Sequence, residues 1–400
     1  MRSHSIKILP LFFLFLCLQG LSGNLQAKSN DDNHLNIEDL LIQTLFDISE
    51  GNLNEALNNI DDVIEKEPNF KLAHLIKGDI YLAQAKGLER FGGSTNYSSE
   101  EVSGLREEAR RRIKSHLETN YLSPNSEHRL TLSNKIDNLV FIDTSGSRLI
   151  VFKNNGGETI KLMDAYISIG KNGSGKQFEG DKKTPIGVYT LGNKIKQKLS
   201  DFYGDGAFPI NYPNIYDKLQ NKTGHGIWIH GTPKNTYSRA PQSSDGCVVL
   251  ANDDLKKLET ILKSNKTKVI ISEESYQSYL EKNLEDSHDN FIKALDEWKN
   301  SWESKFIANY LAFYDGDAKN NGRHYSDWTN DKFEIFRNTK NISVEIENIS
   351  IIDYPDDKDT IRYVEFDQHY QSNLLINSSH KIQIWKKFNN DWKIINETSI

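Results

Sequence analysis

Cysteine is nearly absent from this chain. Only Cys17 and Cys247 occur in 400 residues, so no disulfide framework can hold the fold together. The histidines are scattered and no Cys/His set has the spacing of a tetrahedral centre, so neither a metal nor any other cofactor is expected. Positive charge is in deficit. Lys and Arg number 49 against 56 Asp and Glu, and the net charge of −7 argues against nucleic acid, whose phosphates require a basic field. Long apolar runs are lacking as well: "ILPLFFLFLCL", Ile8 to Leu18, is too short to cross a bilayer as a helix.

That short run reads instead as the centre of a secretory signal peptide over residues 1–27. Arg2 and Lys7 precede it, and "LQA" at Leu25–Ala27 supplies the small residue at the cut. Leu16 stands before Cys17 where a lipid-anchor signal requires a small residue. Cleavage after Ala27 removes Cys17 and leaves Cys247 as the one thiol of an exported, periplasmic protein. An odd cysteine in an oxidising compartment is a buried apolar group, an intermolecular bridge or a reactive thiol.

The rest of the chain changes character twice, and the reading is a multidomain α+β protein. Residues 28–136 are a helical region. Leu40, Leu41, Leu45 and Ile48, then Ala56, Ile60, Val63 and Ile64, recur at helical spacing, with breaks at Gly51-Asn52 and Pro68-Asn69. Gly51, Ala56, Pro68, Ala73, Gly78 and Tyr81 fall where tetratricopeptide repeats place such residues, and a plain helical hairpin fits equally. A repeat-like region of this kind could hold a protein partner. Residues 137–273 are β-rich: "LVFIDTSGSRLIVFKN" is strand, turn, strand, and "DDLKKLETILKS" is an amphipathic helix. Residues 286–400 begin with helices and end in alternating, aromatic-rich strands, similar to the cone-shaped nuclear-transport-factor-like (SnoaL-like) fold. There Phe366, Tyr370, Trp385 and Trp392 are expected to line a concave face that binds or positions rather than catalyses.

The chemistry concentrates in "GHGIWIHGTPKNTYSRAPQSSDGCVVLAND", Gly224 to Asp253. Strand alternation puts Trp228 and His230 on one face and Ile227 and Ile229 on the other. Cys247 follows Gly246, and the loop between His230 and Cys247 is long enough to leave and return. An imidazole can take a thiol's proton, the thiolate can attack a carbonyl, and preset donors can receive the oxyanion. Backbone N–H groups of Gly246 and Cys247 are the expected donors. Arg239 in the spacer is either a solvated loop residue or a fork for a substrate carboxylate.

His230-Gly231 followed by Ser244-Asp245-Gly246-Cys247-Val248-Val249-Leu250, with "DKKTPIGVYTL" upstream, resembles the YkuD-like L,D-transpeptidase family. The resemblance covers about a third of the chain. Two positions depart: Asp245 stands where many members have His, and Val249 where many have Arg. The resemblance implies that the substrate is the peptide stem of peptidoglycan, with Cys247 as nucleophile, His230 as general base and acid, and Arg239, Ser244 and Gly231 at the substrate. The acyl group would pass from a thioester to a second stem amine. Water as acceptor would make an L,D-carboxypeptidase, and the domain layout looks like the carboxypeptidases that set cell shape in curved bacteria. An inert site in a wall-binding module is the reading from another class.

Overall fold

The computed structural model describes residues 36–119, 130–156, 158–262, 266–281, 288–355 and 359–400. The expected signal peptide and Cys17 lie outside the described residues. Among them, no helix is long and apolar enough to cross a membrane.

Four helices open the fold: α1 (Ile37–Glu50), α2 (Leu53–Lys66), α3 (Lys71–Lys86) and α4 (Ser99–Thr119). Asn36 caps α1 by accepting from the Asp39 N–H. Gly51 ends the helix in the left-handed region (φ 84°), returning its own N–H to the Asp47 and Ile48 carbonyls. Leu41, Ile60, Val63, Phe70, Leu72 and Ala73 are fully buried between these helices, so the helical spacing read from the sequence is the spacing of the core.

The middle of the chain builds a nine-stranded sheet. Its strands are β2 (Asn138–Asp143), β3 (Arg148–Asn155), β4 (Glu158–Gly170), β5 (Gly187–Thr190), β6 (Ala207–Pro209), β7 (Trp228–His230), β8 (Gln242–Ser244), β9 (Val248–Leu250) and β10 (Thr267–Ser272). They run in the order β5-β10-β2-β3-β4-β9-β7-β6, with β8 paired to β4. Helix α5 (Ile215–Leu219) precedes β7, and α6 (Asn252–Ile261) follows β9 and packs Leu255 and Leu258 on the sheet. The run "VVL" after Cys247 is thus a buried strand that fixes the residue in front of it.

The final region has its own six-stranded sheet, ordered β1-β12-β13-β14-β15-β11. Here β11 is Tyr314–Asn320, β12 Ile342–Asp353, β13 Ile361–Ser372, β14 Ile376–Phe388 and β15 Asp391–Ser399. Helices α8 (His288–Glu303), α9 (Ile307–Leu311) and α10 (Tyr325–Asn338) pack with it. Three features differ from the sequence expectation. Helix α10 and strand β11 were not foreseen, because their polar surfaces hide the periodicity. The first strand of this sheet, β1 (Leu130–Thr131), comes from a segment assigned to the helical region and pairs with Ile351 and Ile352 of β12. Phe366, Tyr370, Trp385 and Trp392 do not line an open face. All four are buried in one core with Phe291, Trp298 and Trp302, because α8 closes the concave side and large aromatic surfaces gain most by leaving water.

The two sheets share a core. Phe141, Phe152, Ile270, Tyr276 and Tyr279 pack with Ile352, Tyr354, Ile361, Tyr363 and Ile384; Tyr276 and Tyr279 come from α7 (Tyr276–Glu281). Lys268 of β10 reaches across to Glu365 of β13 at 2.6 Å, and both side chains are nearly inaccessible.

Candidate active site

Strand β7 lies between β6 and β9, with Ile229 opposite Val248 and His230 opposite Val249. Ile227, Ile229, Val248 and Leu250 enter the core of the nine-stranded sheet. Alternation puts Trp228, His230 and Val249 on the other face, with Cys247 one step before the strand on that same side. The structure therefore puts His230 and Cys247 on a shared face of adjacent parallel strands, with His230 closing β7 and Cys247 just ahead of β9, level with Trp228. No hydrogen bond joins them at rest.

His230 is deeper than the sequence suggested: only 1% of it is exposed. Tyr203 covers its ring edge-on at 5.1 Å, and Phe202 stands 6.0 Å away. Its Nδ1 is 2.7 Å from the Gly231 carbonyl. A carbonyl only accepts, so Nδ1 carries the hydrogen and Nε2 is left with its lone pair. Burial drives the imidazole down to about 4, and Arg239 pushes the same way, against the Gly231 carbonyl. At neutral pH the ring is uncharged and able to accept a proton.

Cys247 is partly buried, and its Sγ lies 3.6 Å from the Gly226 carbonyl. Burial raises the thiol's pKa; the Trp228 backbone N–H, Lys176 and Arg239 draw it down, and Asp245 adds to the rise. Thiol and imidazole thus both rest neutral.

The turn before Cys247 is held from several sides. Gly246 has φ 124°, outside the regions open to ordinary residues. A Cβ there would sit 2.9 Å from the Lys183 carbonyl oxygen. Thr184 Oγ1 donates to the Gly246 carbonyl and accepts from the Gly170 N–H, both at 3.0 Å. Ser244 Oγ donates to the Cys247 carbonyl at 2.6 Å and accepts from the Gly246 N–H at 3.1 Å. This corrects two expectations. The Gly246 N–H is spent on Ser244, so among the expected oxyanion donors the Cys247 N–H is the one without a partner among the described residues. Ser244 is buried, and both hydrogen bonds of its hydroxyl brace the turn. Gly231 is likewise buried, packed against Asn252, and its N–H points to the Tyr203 and Gly206 carbonyls.

Arg239 does reach the site. Its guanidinium lies over the Phe202 ring, 4.7 Å from the centre, and its charge acts on both His230 and Cys247. Sequence reasoning missed the buried pair Lys176–Asp181, 2.8 Å apart. Burial works against the Asp181 charge, but Lys176 and the N–H groups of Gln177, Lys183 and Phe178 outweigh it and hold the carboxyl below its usual range. The pair shapes the glycine-rich loop beside Cys247. Thr184, in the quoted Thr-Pro-x-Gly segment, was the signal that could have tied that loop to the thiol.

Residues 137–271 match the L,D-transpeptidase catalytic domain called YkuD, and residues 290–398 match the C-terminal NTF2-like domain of Cds6. The chain therefore carries a YkuD L,D-transpeptidase catalytic domain joined to a C-terminal NTF2-like domain. Among solved structures it is similar to the helical cell shape determining protein Pgp2 from Campylobacter jejuni. That likeness has 27% identity and a TM-score of 0.58, covering 71% of this chain and 98% of that one. It is also similar to Bd1075 from Bdellovibrio bacteriovorus, with 29% identity and a TM-score of 0.57 over 68% of this chain and 96% of that one. No curated protein matches the chain.

Proposed function

We propose that this protein is an exported, periplasmic peptidoglycan enzyme that uses Cys247 to cleave the bond between the third residue and the terminal D-alanine of a stem peptide. The observation that carries the reading is the shared strand face of a neutral imidazole, its Nε2 free, and the one thiol among the described residues, just ahead of β9. The thiol proton passes to His230 Nε2 as Sγ attacks the carbonyl carbon. The Cys247 N–H receives the developing oxyanion. His230 returns the proton to the departing amine, the C–N bond breaks, and a thioester remains. Arg239 pairs with the stem carboxylate. A second stem amine, deprotonated by His230, attacks the thioester, restores the thiol and leaves a cross-link.

A second acceptor is favoured by one observation. Similarity runs over nearly the whole length of Pgp2, a cell shape determining protein. Water in place of the amine gives a tripeptide, an L,D-carboxypeptidase acting on cell shape. Incubating the protein with disaccharide-tetrapeptide separates the outcomes by mass. A cross-linked dimer lacking one D-alanine identifies the transferase, and a tripeptide monomer the hydrolase. An acyl adduct that persists on Cys247→Ala overturns both.

A further inference from the structure

The N-terminal helices pack against the loop that leads into Cys247. That loop, residues 232–241, carries Arg239 and is gripped along its length. Asn69, before α3, donates through Nδ2 to the Lys234 carbonyl at 3.3 Å, and Phe70 packs on Tyr237 with ring centres 4.5 Å apart and the planes tilted by 48°. Glu108 of α4 accepts from Ser238 Oγ at 2.7 Å. Gly104 of α4 is so near that a Cβ on it would lie 3.0 Å from that of Ala240. From the sheet side, Tyr166 Oη and Ser168 Oγ both donate to the Arg239 carbonyl at 2.9 Å.

Behind this grip lies a buried ionic cluster. Arg112 pairs with Glu108 at 2.8 Å and with Glu38 of α1, and its guanidinium lies 3.9 Å from the centre of the Tyr166 ring. Glu108 and Arg112 are 1% and 2% exposed, and Glu108 Oε2 has no hydrogen-bond partner. A buried pair of this kind adds little net stability over apolar residues of the same volume, because desolvation offsets the attraction. What it does supply is directional: one carboxylate fixed by Arg112 and aimed at a single loop hydroxyl, and one guanidinium stacked on the ring that holds the Arg239 carbonyl.

We propose that Glu108 and Arg112 are positioning residues: acting through Ser238 and Tyr166, they set the place of the Arg239 guanidinium over Phe202, the ring next to His230, and the helical region is a working part of the catalytic site. The assignment rests on Cys247 being the nucleophile. It gives the helices a role inside the enzyme where a partner-binding surface was expected from sequence.

The test is the ratio of Cys247 alkylation rates with iodoacetate and iodoacetamide, read by intact-protein mass on the whole chain. Both reagents form the same S–C bond and expel iodide; only iodoacetate carries a carboxylate, so the ratio reports a cation held at the thiol. Arg239→Ala should lower it about fivefold, the effect of one partly screened charge. Ser238→Ala and Glu108→Gln should give part of that fall, with the iodoacetamide rate nearly unchanged and KM for tetrapeptide rising more than kcat falls. In the Arg239→Ala background, Ser238→Ala should change nothing further. Ser238 is a half-buried loop residue, so this variant keeps the test open if a change in the ionic cluster prevents folding. A wild-type ratio in Ser238→Ala, or an equal fall in both backgrounds, overturns the proposal. A wild-type thiol inert to both reagents overturns the nucleophile itself, an outcome distinct from failure of the positioning role.

Discussion

Adding one methyl group at Gly246 should disable the site while leaving most of the fold. The Ala Cβ would meet the Lys183 carbonyl oxygen at 2.9 Å and Ile227 Cδ1 at 3.3 Å. Neither neighbour can step aside easily. Thr184, next to Lys183, is pinned by its bonds to Gly246 and Gly170, and Ile227 is core. The φ of 124° adds backbone strain of about 1–3 kcal/mol, and the overpacking adds roughly 1–3 kcal/mol more if nothing moves. The turn should relieve part of this by moving, and the residue it moves is Cys247. A misplacement on the order of 1 Å costs about 100-fold in rate. Acyl-enzyme formation by intact mass, alongside urea unfolding, should therefore show acylation falling about 100-fold or more and stability by a few kcal/mol at most. Gly156→Ala is the control: its φ is also positive, but nothing lies within 4 Å of the added Cβ, so it should lose a little stability and no acylation. Wild-type acylation by Gly246→Ala would refute the reasoning.

Three further outcomes are expected. Because burial holds His230 near 4, the acid limb of acylation should fall near pH 4 rather than 6.5. An unfolded imidazole takes up a proton below about 6.5 and the folded one does not, so stability is full above that pH and declines as pH drops towards 4, by at most about 3 kcal/mol; a urea midpoint difference between wild type and His230→Gln that is flat from pH 7 to 4 contradicts this. Cys247→Ala and His230→Ala should each cut turnover by several orders of magnitude, and the double change should be little worse than either; additive losses would show that the two do not act as a unit. Glu365→Gln leaves Lys268 buried without its carboxylate and should cost roughly 3–5 kcal/mol in urea unfolding; a change below 1 kcal/mol would mean the two sheets are not locked there.

What the sequence makes legible follows from what is local. Alternation in "GIWIHG" and the apolar run after Cys247 suffice to put a histidine at the end of one strand and a thiol just ahead of another, and the helical periods of residues 37–86 are those of the packed core. The long-range terms are silent in the sequence. Ser244 looks like a substrate residue until its hydroxyl is seen bridging Gly246 and Cys247. Phe366 and Trp385 look like a concave lining until α8 covers them. Glu108 and Arg112 sit in the charged run "REEARRRIK", where nothing separates a buried pair from its solvated neighbours; only the docking of α4 on the 232–241 loop singles them out.

The resting electrostatics also account for the state of the Cys247 thiol. A permanent thiolate would be open to oxidation wherever oxidants are present, since reactivity follows the thiolate fraction and exposure. Here burial raises the thiol's pKa and lowers that of His230, so a resting ion pair is disfavoured from both sides. The Arg239 charge opposes imidazolium and favours thiolate. It therefore does not build a resting ion pair. In the proposed mechanism, a substrate carboxylate that neutralises Arg239 would lift its pressure on His230 and remove its support of the thiolate together, so these two effects of the charge oppose each other and burial sets the balance. The charge that acts on both groups lies on a loop that the N-terminal helices hold.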